Sequence, residues 1–329
     1  MATNFSYIHL SDFHFCTEPS RLNALNLIRR NVRETIDTCR AQSNLFGIAS
    51  LAKPASYVPS ITSGVAQFCY KHTRSIDGII VSGDLATTGL TTDIGVARAF
   101  VDDAPLSGFR SESRKPTLKS ARRPIYVVPG NHDRYANNFA TTNSRIFDLA
   151  FEDYLHNFNG YVGHWVRRKD GQYLGFVYAD FTLRTRSDAT SRLGAYGQGR
   201  VYQDVFENLK NQTFVLKNKY GGINISWILH FAPFDCGSHL ELIDWQQIAH
   251  AASAAGVQVT LCGHTHNQAK IQAYGHTIYC AGSAGCVDSE DRSTAHILRF
   301  EIDGQQFGVR RENYKWNGRQ MKFERLTDD

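Results

Sequence analysis

Six short apolar runs recur along the chain, and each has the composition of a buried β-strand. They are rich in Val, Ile, Leu or aromatic residues, and most are bounded by Gly, Pro, Asn or Asp. The runs are FSYIHL (5–10), DGIIVSG (77–83), PIYVVPG (124–130), YLGFVYA (173–179), NISWILHF (224–231) and VQVTLCG (257–263). We therefore predict that these segments form the central strands of the fold.

Segments with helical spacing of apolar residues lie between these runs. Residues 21–40 have apolar residues on one face and charges on the other, and residues 239–256 end in Gly256, which is typical of a helix C-terminus. The C-terminal part alternates like strands and contains Asp303-Gly304, which predicts a hairpin turn. Strands that alternate with helices and are followed by more strands predict an α/β fold, a sandwich with mixed sheets.

The chain has no internal repeat and no low-complexity linker, so its 329 residues are predicted to form a single domain, 1–329. Two segments do not fit the alternation of strands and helices. Residues 41–76 begin with a stretch rich in Ser, Ala and Pro, and residues 102–123 carry a cluster of basic side chains. Both are predicted to be insertions over one face of the core. The basic cluster is interpreted as solvated surface, and contact with a phosphate or a nucleic-acid backbone is the less favoured interpretation.

The composition excludes several classes of protein. At 42% hydrophobic and 20% charged residues, the chain is an ordinary globular protein, and its net charge of +5 suits anionic substrates without indicating nucleic acid. Its 7 cysteines include no Cys-x-x-Cys pair, which argues against a disulfide framework and a structural zinc ribbon. No basic leader precedes an apolar stretch, and no uncharged run reaches about 18 residues. We therefore expect no membrane span and a cytoplasmic location.

Polar residues cluster at the C-terminal ends of the predicted strands, where ligands bind in α/β sheets. The candidate metal donors are Asp12, His14, Asp84, Asn131, His230, His264 and His266. In an extended segment residues i and i+2 point the same way, so His264 and His266 are expected to share a face and aim at one ion. Asp12 and His14 are expected to do the same. Nitrogen and oxygen donors without thiolates suit Mn, Fe or Zn, and a set of this size suits two ions that share a carboxylate.

The stretch YVVPGNHDRY (126–135) has two interpretations. Asn and Asp after Gly are typical caps of a tight turn. Alternatively, Asn131, His132 and Asp133 are three parts of one reactive site, and the other strand-end clusters favour this interpretation. His230 is treated in the same way: alone it would be interpreted as a core histidine, but it is the only histidine at a strand end in the required interval.

Five motifs in order resemble the signature of the calcineurin-like metallophosphoesterases. They are Asp12-x-His14, Gly83-Asp84, Gly130-Asn131-His132-Asp133, His230 and Gly263-His264-x-His266. The resemblance covers residues 8 to 286, and the layout is similar to that of class III cyclic nucleotide phosphodiesterases. It implies a four-layer αββα sandwich of two mixed β-sheets flanked by helices.

The resemblance also implies a role for each motif residue. One metal ion is expected at Asp12, His14, Asp84 and His266. The second is expected at Asp84, Asn131, His230 and His264, with Asp84 bridging. His132 is expected to be catalytic, beside the scissile phosphate and not a ligand, with Asp133 orienting its imidazole. The implied reaction is dinuclear hydrolysis of a phosphodiester by in-line attack of a metal-bridging hydroxide.

The predicted substrate is a small or nucleotide-like phosphodiester. Two divalent ions, two carboxylates and one hydroxide leave about one net positive charge, which suits a monoanionic diester. A phosphomonoesterase and a nuclease are the alternatives, and a non-catalytic scaffold is less favoured because every motif position is intact. A protein Ser/Thr phosphatase is not favoured, because GDLATTG lacks the Asp-Arg-Gly of those enzymes. Arg134 and the arginines of the loop 184–200 are further candidates for contact with substrate.

Overall fold

The computed structural model describes residues 2–16, 57–102, 116–135, 144–190, 197–237, 240–285, 293–304 and 306–326. In chain order the strands are β1 (Thr3–Leu10), β2 (Gly78–Val81), β3 (Ile125–Val127), β4 (Val162–Lys169), β5 (Gln172–Ala179), β6 (Gly199–Arg200), β7 (Asn224–Leu229), β8 (Leu242–Ile243), β9 (Val259–Cys262), β10 (Ala269–Ala273), β11 (His276–Cys280), β12 (Thr294–Asp303), β13 (Gln306–Asn317) and β14 (Lys322–Arg325). The α-helices are α1 (Pro59–Lys71), α2 (Thr91–Asp102), α3 (Ile146–Ala150), α4 (Gln203–Tyr220) and α5 (Gln246–Ala254). The helix predicted at 21–40 lies outside the described residues.

Two mixed sheets of six strands each form the centre of the molecule. The first has the order β14-β13-β12-β1-β2-β3, in which β1, β2 and β3 are parallel. The second has the order β10-β11-β9-β7-β5-β4, in which β11, β9, β7 and β5 are parallel. All six apolar runs form strands of these sheets, so the α/β fold with two mixed sheets predicted from the sequence is confirmed.

The sheets pack face to face through aromatic side chains. The ring of Tyr7 on β1 lies 5.1 Å from that of Phe176 on β5, measured between centroids, in an edge-to-face contact. Phe176 in turn lies 5.6 Å from Phe300 on β12. Such contacts stabilise a pair of rings by about 1 kcal/mol beyond the burial of their area. One main core therefore contains residues of both sheets.

Helices cover the outer faces of the sheets. Helix α4 packs its buried apolar residues on the second sheet, where Nε1 of Trp227 on β7 donates to Oγ1 of Thr213 at 2.8 Å. Helix α1 packs on the first sheet, where the ring of Phe68 lies 4.7 Å from that of Tyr314 on β13. The predicted insertion 41–76 therefore needs correction: its described part, from 57 onward, is mostly a helix of the core.

Two local predictions, the helix end at Gly256 and the hairpin turn at Asp303-Gly304, are confirmed. Gly256 follows α5 with a φ of 59°, and the N–H of Val257 donates to the carbonyl oxygen of Ala252, as in a Schellman cap. Asp303 pairs with Gln306 across a two-residue hairpin turn.

Within the part of the chain that the structure describes, no helix combines the length and the apolar character needed to cross a bilayer.

Candidate metal centre

The loops that follow five strands meet at one end of the sheets and bring all seven predicted donors together. The donors are Asp12 and His14 after β1, Asp84 after β2, Asn131 after β3, His230 after β7, and His264 and His266 after β9. Because β1, β2 and β3 are parallel neighbours, as are β7 and β9, their carboxyl ends face the same side. The predicted convergence at the strand ends therefore follows from the topology of the two sheets.

Five of the donors adopt a left-handed backbone conformation, with φ between 52° and 74°. They are Asp12, His14, Asp84, His264 and His266. Non-glycine residues rarely adopt this conformation, and it is concentrated at functional sites. The backbone is thus not extended here, and the shared face predicted for His264 and His266 is wrong. His264 faces His230, whereas His266 faces Asp12.

Two motif glycines give the donors room to approach one another. A Cβ atom on Gly83, whose φ is 104°, would overlap the ring of His230. A Cβ atom on Gly130 would overlap the carboxylate of Asp84. Glycine is therefore required at both positions for close approach, and at Gly83 for its backbone conformation as well.

Asp12, His14 and His266 form the first donor group. The two imidazoles face each other with their Nε2 atoms 3.0 Å apart. Oδ1 of Asp12 lies 3.4 Å from Nε2 of His266 and 3.9 Å from Nε2 of His14. Its other oxygen, Oδ2, accepts a hydrogen bond from the backbone N–H of His264 at 3.0 Å. The carboxylate is therefore held with Oδ1 toward the two imidazoles, as a shared cation would require.

The two imidazoles of the second donor group are oriented by backbone carbonyls. Nδ1 of His230 donates to the carbonyl oxygen of Ser82 at 2.8 Å, and Nε2 of His264 donates to that of Gly197 at 2.7 Å. A carbonyl oxygen only accepts, so in each neutral ring the proton lies on that side. The opposite nitrogens, Nε2 of His230 and Nδ1 of His264, then present lone pairs, and they lie 3.2 Å apart.

Two oxygens complete this group around Nε2 of His230. Oδ1 of Asn131 lies 3.0 Å from that nitrogen, and Oδ2 of Asp84 lies 3.2 Å from it. Acceptors at these distances repel one another unless a proton or a metal ion lies among them. The group therefore fits a metal ion, since imidazole nitrogens and carboxylate or amide oxygens are the ligands that borderline ions accept.

Burial and neighbouring charges shift the pKa values of the side chains in the cluster. Burial lowers the pKa of His14 and of His264, each to about 3, so both rings are neutral. Burial opposes the charge of Asp84, but the neighbouring His230 holds the pKa of this carboxyl well below its usual range. Burial also lowers the pKa of His230, but the carboxylate of Asp84 outweighs it and raises the pKa to about 10. The proton on His230 thus balances a charge that a metal ion would otherwise balance.

The family model of the calcineurin-like phosphoesterases matches residues 5–268, which include every donor as well as His132 and Asp133. The chain belongs to the calcineurin-like phosphoesterase family. The family predicted from the five motifs is therefore confirmed. No curated protein sequence is similar enough to match this phosphoesterase.

Two solved structures have the same fold as this phosphoesterase. GAP50, the anchor in the inner membrane complex of Plasmodium, matches with a TM-score of 0.55 and 11% identity over 99% of this chain and 89% of that chain. The purple acid phosphatase PPD1 from yellow lupin (Lupinus luteus) seeds matches with a TM-score of 0.55 and 9% identity. That match covers 99% of this chain but 53% of the lupin chain, so the phosphoesterase spans about half of the lupin enzyme. At such low identity the likeness concerns the fold alone.

His132 of the phosphoesterase lies at the open side of the donor cluster. Its side chain and that of His266 are half-buried, whereas the other predicted donors are buried. Nδ1 of His132 donates to the carbonyl oxygen of Thr87 at 2.8 Å, which fixes the ring. The ring meets that of His14 edge to face, with centroids 4.7 Å apart, and one ring nitrogen lies within 4.8 Å of donor atoms of His14 and Asp84.

Asp133 does not orient His132, which corrects the expectation from the sequence. Its carboxylate is buried and accepts three backbone N–H groups, from Ala86 at 2.8 Å, Gly130 at 2.9 Å and Leu85 at 3.3 Å. Burial, followed by the nearby charge of Asp84, raises the pKa of Asp133 to about 7. The carboxyl group thus joins the loop after β2 to the loop after β3, and the Thr87 carbonyl fixes the imidazole.

Two arginines predicted to contact substrate are engaged within the chain. Arg134 is buried, and its guanidinium lies 2.8 Å from Asp180 and 2.7 Å from Asp148. Arg184 forms a surface ion pair with Asp204 at 2.6 Å. Both guanidinium groups are therefore paired with carboxylates of the chain, and their contact with substrate stays a prediction.

Some partners of the site were not identified from the sequence. They are the carbonyl oxygens of Ser82, Thr87 and Gly197, and the side chain of Tyr135. A backbone carbonyl is present in every residue, so no residue type could have pointed to the first three. For Tyr135 the available signal was its position directly after the Asn-His-Asp-Arg stretch.

Proposed function

We propose that this phosphoesterase is a dinuclear-metal-dependent phosphodiesterase that hydrolyses a small or nucleotide-like phosphodiester. The proposal is carried by two donor groups that share one carboxylate, Asp84, which faces His14 at 3.9 Å and His230 at 3.2 Å. The proposed metal ligands are Asp12, His14, Asp84, Asn131, His230, His264 and His266. Lone pairs that converge from buried imidazoles and carboxylates favour ions such as Mn, Fe or Zn.

Held by these ligands, two divalent ions would supply an acidified water and positive charge for the phosphate oxygens. The chain itself contributes His132, which reaches the open side of the cluster and binds the leaving oxygen or protonates it. The Thr87 carbonyl holds Nδ1 of this ring, so Nε2 is the nitrogen left for the substrate. The other donors are buried, which keeps water out from the remaining sides.

Charge supports a diester over a monoester. Asp12 and Asp84 carry the negative charges of the proposed ligands, so two divalent ions with one hydroxide would leave about one net positive charge, which one phosphate charge offsets. Arg134 and Arg184 are paired with carboxylates and do not supply charge for a second one. A phosphomonoesterase and a nuclease of the same family remain the alternative activities.

Initial rates after loading with Mn²⁺ test the proposal directly. The substrates are bis(p-nitrophenyl) phosphate, p-nitrophenyl phosphate and single-stranded DNA. We expect the diester to turn over faster than the monoester and the DNA to be cleaved slowly. Diester turnover well below monoester turnover would contradict the proposal, and rapid cleavage of the DNA would favour a nuclease. Cyclic nucleotides, glycerophosphodiesters and nucleotide-sugar diphosphates then narrow the substrate class.

The fold itself does not require catalysis, since one of the similar structures is that of an anchor protein. The converging donors distinguish the two roles, because a scaffold has no need of aligned lone pairs. Metal analysis of the purified protein tests this distinction. Less than about one tightly held transition metal per chain, without rescue by Mn²⁺ or Fe²⁺, would favour a scaffold.

A cytoplasmic location is also proposed. Among the cysteines of the described ranges, Cys69, Cys236, Cys262 and Cys280 are free thiols. Free thiols persist in reducing compartments, whereas secreted proteins form disulfides. Fractionation of cells that express the tagged chain would test this location, and recovery outside the cytoplasm would contradict it.

A further inference from the structure

Tyr135 touches two residues of the proposed active site. Its hydroxyl oxygen accepts a hydrogen bond from Nδ2 of Asn131 at 2.7 Å. Its ring lies 4.8 Å from that of His132, measured between centroids, in an edge-to-face contact. The side chain is buried, so the phenol is part of the wall behind the donor cluster.

The amide of Asn131 can serve a metal only in one of its two orientations. With Oδ1 toward Nε2 of His230, at 3.0 Å, the amide presents an acceptor to the metal position. Turned over, it would present an NH₂ group, which has no lone pair for a metal. The two orientations have nearly the same shape, so their hydrogen bonds decide between them.

The metal-binding orientation points the NH₂ group of Asn131 away from the cluster, into the protein. The hydroxyl oxygen of Tyr135 accepts one of its hydrogens there. Without this acceptor, the metal-binding orientation of the amide loses this hydrogen bond. Loss of the hydroxyl therefore weakens the hold on the amide orientation that a metal ion requires.

We propose that Tyr135 is a positioning residue for the second metal site, because its hydroxyl oxygen holds the Asn131 amide with Oδ1 toward the metal. This inference rests on the proposed function, since it assumes that Asn131 is a ligand. It is specific to the site of Asn131, His230 and His264.

Calorimetric titration of metal-free protein with Mn²⁺ tests the inference. Tyr135→Phe is expected to weaken binding at one of two sites by about tenfold and leave the other unchanged, since supporting residues change metal affinity by about 10–100-fold. Tyr178→Phe is the matched control. It also removes a buried hydroxyl, which donates to the carbonyl oxygen of His156 at 3.1 Å, away from the donor cluster. It should bind both ions as the wild type does.

A double-mutant cycle with Asn131→Asp separates amide orientation from general damage. A carboxylate presents an oxygen in either orientation and has no N–H to satisfy. In the Asn131→Asp background, Tyr135→Phe should therefore change the weaker site by less than about threefold, which is a clear departure from additivity. An equal loss in both backgrounds would overturn the inference, as would unchanged binding by Tyr135→Phe.

The outcomes also separate this inference from the proposed function. A wild-type protein that binds no metal overturns both. A wild type that binds two ions, with a Tyr135→Phe variant that binds them equally well, overturns the role of Tyr135 alone. Circular dichroism establishes that the variants fold. Should Tyr135→Phe not fold, 4-fluorophenylalanine incorporated at position 135 keeps the shape, offers only a weak acceptor, and should weaken the same site.

Discussion

The backbone N–H of His132 donates to Oδ1 of Asp84 at 2.9 Å. The other oxygen of this carboxylate, Oδ2, faces both donor groups, at 3.2 Å from His230 and 3.9 Å from His14. The shared carboxylate is thus fixed by the loop that carries His132. Binding of metal and placement of the proposed catalytic imidazole are therefore coupled through one side chain.

Asp84→Asn should abolish binding of both metal ions while the chain still folds. The amide keeps the size of the carboxylate but removes the charge that both groups share, and the loss of affinity should exceed the roughly 100-fold effect of supporting residues. Metal content after dialysis, measured by inductively coupled plasma mass spectrometry, checks the prediction. Asp204→Asn, at an exposed surface ion pair, is the control. A variant that retains two ions would contradict a bridging role for Asp84.

His132→Ala should keep both metal ions and lose most of its turnover. Loss of a positioned acid or base lowers rates by about 10²–10⁴-fold. Metal content and the rate with bis(p-nitrophenyl) phosphate are measured on the same preparation. Because one ring nitrogen lies within 4.8 Å of donor atoms of His14 and Asp84, the opposite result is informative. Loss of metal, with activity restored by excess Mn²⁺, would make His132 a ligand.

The central strands and the cluster of donors could be predicted from the sequence because both leave a residue-type signal. Buried parallel strands are continuous apolar runs, and the donors follow them directly, so Asp84 after β2 and His230 after β7 were found by position alone. Helix α1 was missed. Its segment begins with Pro59 and contains Gly64, two residues that weaken helical periodicity, yet Gly64 is required because a Cβ there would overlap Trp316.

The features that the sequence did not predict depend on the conformation of the backbone and on hydrogen bonds of backbone atoms. His264 and His266 have left-handed backbone conformations, so their side chains point to different donor groups. The alternation of side chains in an extended strand does not predict this arrangement. The prediction that Asp133 binds His132 was also wrong. Adjacency in sequence favoured His132, whereas three backbone N–H groups from two loops bind the carboxylate more completely.

Asp133→Asn should lower the stability of the metal loops together with activity. Both carboxylate oxygens accept backbone N–H groups, so an amide must turn its NH₂ toward at least one of them. A donor left without an acceptor in a buried site costs about 1–3 kcal/mol. Urea unfolding of the metal-free protein should show this loss, and metal affinity should fall as well. A variant with reduced turnover but unchanged stability and metal affinity would return Asp133 to a role in orienting His132.

Arg134→Met should destabilise the fold strongly without a direct effect on substrate binding. The guanidinium is buried between Asp180, which is 4% exposed, and Asp148, which is 21% exposed. Its removal leaves a buried carboxylate without its cation, which costs about 3–5 kcal/mol. Arg184→Met, in an exposed pair with Asp204, is the control and should cost less than about 1 kcal/mol. Equal unfolding free energies for the two variants, or a rise in KM for Arg134→Met at full stability, would contradict this assignment.

The buried pair His9 and His296 should make the fold less stable in acid. Nδ1 of His9 lies 2.6 Å from Nε2 of His296, and burial lowers the pKa of His9 from 6.5 to about 3 and that of His296 well below 6.5. Between these pH values the unfolded chain binds protons that the folded chain does not, so the free energy of unfolding falls as pH falls from about 6.5 toward 3. Urea unfolding at several pH values should show a shallower decline for His296→Gln than for the wild type. His250→Gln, on the exposed face of α5, should follow the wild type. A decline as steep in His296→Gln as in the wild type would show that the pair does not cause the acid sensitivity.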